Sequence, residues 1–328
     1  MPAFQILINK LVDYNLTQVQ KDWITSHNKK ASLLKTYLDD NGNTAKAKNF
    51  AKHAVEALED GGEVDVLNNI ILDSTFITDL RVKCVYDKLK GLSNTVFDDI
   101  INDHFGSSSN AHIKFEIGTN INGEDALTKS LIGAPSNVNG SSFHVITLDS
   151  DKIANYSAIE LALAMVHESI HAELMERCYR LGLLSTVSYN STTGLTGVSF
   201  SSTPGNIHTI GDMIFSLLVN HYSNFPDPSQ WNHNLFNSTS YRSEMAQNLI
   251  DIHPSLNDSG NDFLNNINSD ISLVGGPYTL QQCMEYVSWI GLESTDEYNT
   301  QVLSVPGELA KKNYIENASR VHYTNNCY

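Results

Sequence analysis

One pentapeptide of the chain combines residue types and spacing that can bind a metal ion and hydrolyse a bond. It is His167-Glu168-Ser169-Ile170-His171, which fits the pattern H-E-x-x-H. Residues four apart lie on one face of a helix, about one turn from each other, so both imidazole rings can direct a nitrogen at the same ion. Imidazole nitrogens are common ligands of zinc in proteins. The spacing therefore predicts a zinc site with His167 and His171 as two of its ligands.

Glu168 stands where such a site needs an acid–base group. Its carboxylate does not have to bind the ion itself. Zinc lowers the pKa of a bound water to about 7, from about 16 in bulk water, so a nearby carboxylate can remove the proton at neutral pH. We therefore predict that Glu168 is the general base of peptide-bond hydrolysis and that it then passes the proton to the leaving amine.

The residues around the pentapeptide predict a long, buried helix. Ser157 and Glu160 have the S-x-x-E spacing of a capping box, which places the start of the helix at about residue 158, and Gly182 is a typical stop. Two histidines and a glutamate on an exposed helix would be ordinary surface residues, but on a buried helix they are costly without a metal ion. Apolar side chains point in several directions along this helix: Leu161, Ala164, Met165, Val166, Ile170 and Leu174.

A catalytic zinc site needs a third protein ligand besides the position left open for water. The metzincin extension of the motif is excluded, because it requires glycine and histidine where the chain has Leu174 and Arg177. The third ligand must then come from a later element. Spacing alone leaves several candidates open: His208, Asp212, His221, His233 and Glu244.

The elements around the motif predict an α+β fold, mainly helical with a small mixed sheet. Residues 1–72 have helical periodicity and are predicted to form a lead-in segment with a scaffolding or docking role, whereas residues 73–328 mix helices and strands and are predicted to be the catalytic domain. Segments 111–117 and 141–149 alternate apolar and polar residues, as strands do. The segment 183–206 is rich in Ser, Thr and Gly, which predicts a loop or an irregular hairpin.

Charge and composition narrow the range of partners. The 37 acidic and 21 basic residues give a formal net charge of −16, which repels phosphate backbones and anionic lipids, so we expect no nucleic-acid partner. No apolar run approaches the roughly 18–20 residues that cross a bilayer, and residues 1–10 show no export signal, so no membrane span is expected. The four cysteines contain no C-x-x-C pair, which predicts buried thiols with at most one or two disulfides.

Several stretches of the chain together carry a resemblance to a known family. They are AKNFAKHAVEALEDGGEVD, VKCVYDKL, the motif block AMVHESIHAEL, a later histidine in an H-x-x-M/F helix, and SWIGLEST. With them, most of the chain resembles the zincin-type metallopeptidase modules at the C-terminal ends of large secreted or toxin-like bacterial proteins. The resemblance implies a zincin-like fold and a Zn²⁺ cofactor. It also implies a protein or peptide substrate, membership of a larger secreted protein, and a role as an effector or toxin.

The same resemblance assigns two further residues. The histidine of the later helix, which is the family's third zinc ligand, corresponds to His233, although the sequence after it holds one extra residue. Tyr241 corresponds to the Tyr or His with which zincins stabilise the oxyanion. A protein of a different class remains as an alternative, namely a non-catalytic binding or adaptor module that contains zinc. Structural zinc sites usually close the fourth position with another Cys or His, which disfavours this alternative.

Overall fold

The computed structural model describes most of the chain, and the residues fall into two compact units. The structure describes residues 1–106, 111–119, 125–131, 142–180, 184–190, 194–200, 241–256, 262–269, 276–324 and 327. The first unit contains Met1–Asp79, Ile100–Ser150 and Ala172–Thr203, and the second contains Leu80–Asp99, Asp151–His171 and Pro204–Tyr328. The predicted division into a lead-in segment, residues 1–72, and a catalytic domain, residues 73–328, stays a prediction.

The first unit begins with four helices that pack around an apolar core. They are α1 (Ala3–Lys10), α2 (Gln18–Ser26), α3 (Asn28–Asp40) and α4 (Ala45–Glu59). Helix α2 begins at a capping box in which Thr17 and Gln20 each accept a backbone N–H from the other. Helix α4 begins after Thr44, whose hydroxyl accepts the Ala47 N–H. The helices predicted in this segment are confirmed, and their core includes Leu7, Leu11, Leu34, Phe50, Ala54 and Val55.

A five-stranded mixed sheet forms the rest of the framework of the first unit. Its strands are β1 (Glu63–Asp65), β2 (Ile70–Leu72), β3 (Ala111–Gly118), β4 (Ala126–Leu131) and β5 (Ser142–Asp149), in the order β1-β2-β3-β5-β4. Strands β2, β3 and β5 run parallel to one another, whereas β1 and β4 are antiparallel to their neighbours. This sheet among many helices confirms the predicted α+β class. The sequence pattern predicted β3 and β5 but missed β1, β2 and β4.

The register of β3 against β5 shows which side chains share a face of the sheet. Ile113 and Phe115 lie beside His144 and Ile146, and all four side chains are fully buried. These four residues therefore form part of one buried face of the sheet. The opposite face of the sheet carries three side chains of β5: Phe143, Val145 and Thr147.

The remaining elements are mostly helices. They are α5 (Ser74–Thr78), α6 (Leu80–Lys90), α7 (Val96–Asp99), α8 (Ser150–Ile153), α9 (Ala158–Arg180), α10 (Tyr241–Leu256), α11 (Asp262–Ser269), α12 (Leu280–Val287), α13 (Asp296–Tyr298) and α14 (Glu308–Tyr323). An antiparallel hairpin of β6 (Leu184–Asn190) and β7 (Gly194–Phe200) contains register shifts, in agreement with the irregular hairpin predicted over residues 183–206. Residues 211–222, GDMIFSLLVNHY, also have a helical pattern, and they lie outside the described residues.

Helix α9 contributes residues up to His171 to the second unit and its last turns to the first unit. In the first unit, Glu176 is buried and accepts hydrogen bonds from the Ser142 hydroxyl and from Arg180 Nε, the latter at 2.8 Å. Its carboxylate lies 3.3 Å from His144 Nε2. Burial by itself would raise the pKa of Glu176, but the hydrogen bonds from these partners outweigh it and lower the pKa. The end of α9 is therefore tied to β5 by a buried carboxylate.

A disulfide bond links two distant parts of the chain within the second unit. It joins Cys84 of α6 to Cys327, across a sequence separation of 243 residues and with a Cα–Cα distance of 5.6 Å. Cys283 is a buried free thiol, and burial raises its pKa to about 12. One disulfide and one buried thiol agree with the expectation from the cysteine spacing. Within the described ranges, no helix has the length and apolar character to cross a membrane.

Candidate metal centre

The helix that carries the H-E-x-x-H residues begins where the sequence predicts. Its first residue is Ala158, and the preceding Ser157 donates both its backbone N–H and its hydroxyl to Glu160 Oε2, each at 2.8 Å. Glu160 thus accepts the Ser157 N–H, as the glutamate of a capping box does, and the Ser157 hydroxyl donates to the same carboxylate oxygen. The predicted start is confirmed. The helix runs to Arg180, and the predicted stop at Gly182 lies outside the described residues.

Helix α9 is enclosed on nearly all sides, as predicted. Every residue from 158 to 176 is buried except Ala164, which is half-buried. Ser169, inside the motif, is fully buried and donates its hydroxyl to the Met165 carbonyl at 2.7 Å, so it needs no other partner. A helix that is buried all round provides a rigid support for side chains at its centre.

The three motif residues that can bind a metal ion converge. One potential ligand atom from each of His167, Glu168 and His171 lies within 4.8 Å of the others. The two Nε2 atoms of the histidines are 2.9 Å apart, and the ring planes are inclined by 64°. Each of the three side chains is 6% exposed. The group is therefore almost completely buried in the protein.

The geometry of the two imidazoles fits a zinc ion. Two nitrogens that each lie about 2.0–2.1 Å from one tetrahedral zinc are roughly 3.3 Å apart, which is close to the observed 2.9 Å. Two lone pairs that face each other at this distance repel unless a proton or a cation lies with them. A small shift of either ring would admit the ion. The donor set, two imidazoles beside a carboxylate, also suits zinc better than calcium or magnesium, which prefer oxygen ligands.

Four of the five candidates for the third ligand lie outside the described residues: His208, Asp212, His221 and His233. Glu244 is half-buried on α10 and does not belong to the converging group. The assignment of His233 therefore stays a prediction.

Tyr241, the predicted oxyanion donor, is buried at the first position of α10, and its role also stays a prediction. Trp289, a large aromatic residue whose type favours a packing role, is buried beneath the guanidinium group of Arg242, whose carbon lies 4.3 Å from the ring centroid. The Trp289 ring also contacts the ring of Tyr298. These contacts agree with a packing role for the Trp289 side chain.

Two residues distant in sequence lie near helix α9 without a signal in their own sequence neighbourhood. Gly291, in the turn after α12, has space toward the His167 ring for a side-chain methyl group, which would lie 3.4 Å from Cε1 of that ring. Arg320, on α14, donates two hydrogen bonds to Glu160 Oε1, at 2.9 Å from Nε and 2.7 Å from a terminal nitrogen. These hydrogen bonds raise the pKa of Arg320. A glycine after an amphipathic helix indicates a helix end, and an arginine on a surface helix indicates solvent exposure, so neither local pattern shows that the residue lies near α9.

Loss of the Arg320 side chain is expected to destabilise the helix that carries the candidate site. Arg320→Ala would leave the buried Glu160 charge with its Ser157 contacts alone. Because Arg320 is 42% exposed and partly screened by water, we expect a loss of about 1–3 kcal/mol of unfolding free energy. Chemical denaturation measures this loss. The control is Lys311→Ala, which removes a surface ion pair with Glu308 and should cost no more than about 1 kcal/mol. Equal effects of the two variants would contradict the prediction.

Comparison with protein-family models, with curated proteins and with solved structures gives no match for this chain. The likeness to zincin-type modules therefore rests on sequence stretches such as AMVHESIHAEL alone. The geometry of His167, Glu168 and His171 supports a metal site independently of that likeness.

Proposed function

We propose that the chain is a zinc-dependent peptidase of the zincin type that cleaves within polypeptides. One observation carries the proposal: two imidazole Nε2 atoms and the Glu168 carboxylate converge in one buried group at the centre of α9. A buried carboxylate beside two histidines is expensive to maintain unless it serves a purpose such as metal binding or catalysis. The H-E-x-x-H spacing assigns a role to each of the three side chains.

His167 and His171 would hold the ion through Nε2, and His233 is proposed as the third ligand on the strength of the family resemblance. Bound zinc would supply a Lewis acid that polarises a peptide carbonyl and lowers the pKa of water. The chain itself holds both rings on one helix, in which every residue from 158 to 176 except Ala164 is buried. Enclosure also limits the access of bulk water, which strengthens electrostatic interactions within the site.

Glu168 moves the proton in this proposal. Its carboxylate accepts the proton of the attacking water and then donates it to the nitrogen of the leaving amine, so no covalent bond to the protein forms. The Glu168 carboxylate is close enough to both histidines for a water molecule between them to reach it. The Tyr241 hydroxyl is proposed as a hydrogen-bond donor to the oxyanion.

The substrate is proposed to be a protein or peptide. The resemblance to modules of secreted or toxin-like bacterial proteins supports a role as an effector or toxin domain. The formal charge of −16 disfavours a polyanionic partner such as nucleic acid.

Metal removal tests the proposal directly. The purified protein should contain about one zinc ion per chain, and a zinc chelator should abolish cleavage of an unfolded protein such as casein, with recovery on addition of zinc. His171→Asn should lose both metal and activity. The matched control is His27→Asn, which changes an exposed histidine and should keep both.

Two results would count against this function. A wild-type chain that binds no zinc would remove the metal site altogether. A chain that binds zinc tightly, cleaves neither casein nor any peptide in a mixed library, and gains stability from the metal would instead support the non-catalytic adaptor.

A further inference from the structure

A cavity of about 350 Å³ lies in the first unit, between α4 and one face of the five-stranded sheet. Side chains two apart along a strand point to the same face, and the sheet side of the cavity follows this spacing. It is formed by Lys114 and Glu116 of β3, Phe143 and Val145 of β5, and Lys129 and Leu131 of β4. Ligand pockets in proteins have volumes of about 300–1,000 Å³, so a cavity of this size suits a small molecule.

The cavity has an apolar floor that is held in place from within the protein. Leu131 and Phe143 lie opposite each other in the register of β4 and β5, and Val145 lies two residues further along β5. The ring of His53, from α4, stacks on the Phe143 ring with the centroids 4.2 Å apart. Nδ1 of His53 lies 2.8 Å from Nε2 of His112. Burial lowers the pKa of His53 to about 3, so the stacked ring is uncharged at neutral pH.

Most of the charged groups around the cavity already have partners within the protein. The Lys114 ammonium group lies 2.7 Å from an Asp73 oxygen and 2.8 Å from a Glu116 oxygen. The Glu56 carboxylate lies 2.8 Å from the Lys52 ammonium group. These groups compensate one another and leave little charge for a ligand.

One cation and one anion of the lining differ from these paired groups. Lys129 is half-buried, and Val145 lies between it and Lys114 in the register of the sheet. Asp60, the C-cap residue of α4, lines the cavity from the helix side and is exposed. Within the part of the chain that the structure describes, neither side chain has an ion pair or a hydrogen bond. Lys129 and Asp60 are therefore the two charges of the lining that a ligand can pair with.

We propose that this cavity binds a small zwitterion with an apolar side chain. The Lys129 ammonium group pairs with the carboxylate of the ligand, and Asp60 pairs with its ammonium group. The apolar side chain of the ligand is buried on Phe143 and Val145. The inference goes beyond the proposed function and uses no residue of the metal site, so each of the two can fail without the other.

The charge of the lining favours a zwitterion over a simple anion. Four carboxylates line the cavity beside only two ammonium groups: Glu56, Asp60, Asp73 and Glu116, with Lys114 and Lys129. This excess of negative charge repels an anion that carries no balancing cation. A zwitterion brings one charge of each sign and matches the two unpaired groups. Free apolar amino acids and short apolar peptides share this chemistry and differ in the distance between their charges.

Calorimetric titration of the full chain with L-leucine and with L-leucyl-L-leucine tests the inference and separates the two sources. A zinc chelator is present throughout, so that no dipeptide is cleaved and no ligand binds through a metal ion. We expect at least one of the two compounds to bind with Kd of about 1 mM or tighter. Its amide, which lacks the carboxylate, and its N-acetyl derivative, which lacks the ammonium group, should bind more weakly.

Matched variants assign the two charges. Lys129→Met keeps the length of the side chain and should weaken binding by about 10-fold, because it removes a charge-assisted hydrogen bond. Asp60→Asn should weaken binding by about 2–5-fold, since exposed ion pairs contribute less. The controls are Lys30→Met and Asp40→Asn, which change exposed charges of α3 and should bind as wild type does. Lys129→Arg keeps the charge and should retain binding.

The preference for the carboxylate gives a readout that loss of folding does not imitate. Wild type should bind the zwitterion more tightly than its amide, whereas Lys129→Met should bind the two equally. No saturation by either compound up to about 10 mM would overturn the inference. So would derivatives that bind as tightly as the zwitterion, or a Lys129→Met protein that matches Lys30→Met. None of these results would bear on zinc binding or peptidase activity.

Discussion

Replacing Glu168 by glutamine is expected to lower kcat for peptide hydrolysis by about 10²–10⁴-fold, with zinc still bound. Glutamine has nearly the same shape as glutamate, so the enclosed helix should tolerate it. It cannot accept a proton from water at neutral pH, and the proton-transfer step is lost. Steady-state kinetics on a fluorogenic peptide and metal analysis of the same preparation measure the two properties.

The control for this substitution is Glu173→Gln. Glu173 lies on the same helix and is also buried, but it pairs with Arg177 and is not part of the converging group. We expect its replacement to leave kcat within a few-fold of wild type. Unchanged kcat in Glu168→Gln would falsify the assignment of Glu168 as the general base, even if zinc remained essential.

Removal of the disulfide is expected to have the largest effect on stability. In the chain-entropy account, a crosslink stabilises a protein more when it closes a longer loop, and Cys84 and Cys327 are 243 residues apart. We expect the double variant Cys84→Ser/Cys327→Ser to lose about 3–5 kcal/mol of unfolding free energy. Urea denaturation with and without dithiothreitol measures the loss.

Dithiothreitol should destabilise the wild type by a similar amount and leave the double serine variant unchanged. Cys283→Ala serves as the control, because the buried Cys283 thiol forms no disulfide and this variant should remain sensitive to the reductant. A wild type that is equally stable in both conditions would contradict the prediction.

The helix at the centre of the site could be predicted because its determinants are local. Ser157 and Glu160 are three residues apart and mark the start of α9. The apolar residues whose pattern predicts a buried helix lie within the helix itself. Alternation of side chains predicted β3 and β5 for the same reason. Capping and alternation involve residues only a few positions apart, so one sequence suffices to read them.

The contacts between helix α9 and later elements could not be predicted, because they join distant parts of the chain. Arg320 on α14, for example, donates to Glu160 on α9, 160 residues earlier in the sequence. Strands β1 and β2 have three residues each, too few for alternation to appear. Spacing likewise left the third ligand open among several residues.

The bond between Cys84 and Cys327 also changes what a cut in the backbone would do. Any single peptide bond broken between these two cysteines leaves two pieces that remain covalently joined. Nicked molecules would migrate as one chain on a gel without reductant and separate into two pieces only after reduction. For a protein whose proposed substrates are other polypeptides, this linkage means that one cleavage by a neighbouring copy would not release the segment that carries H-E-x-x-H from the rest of the molecule.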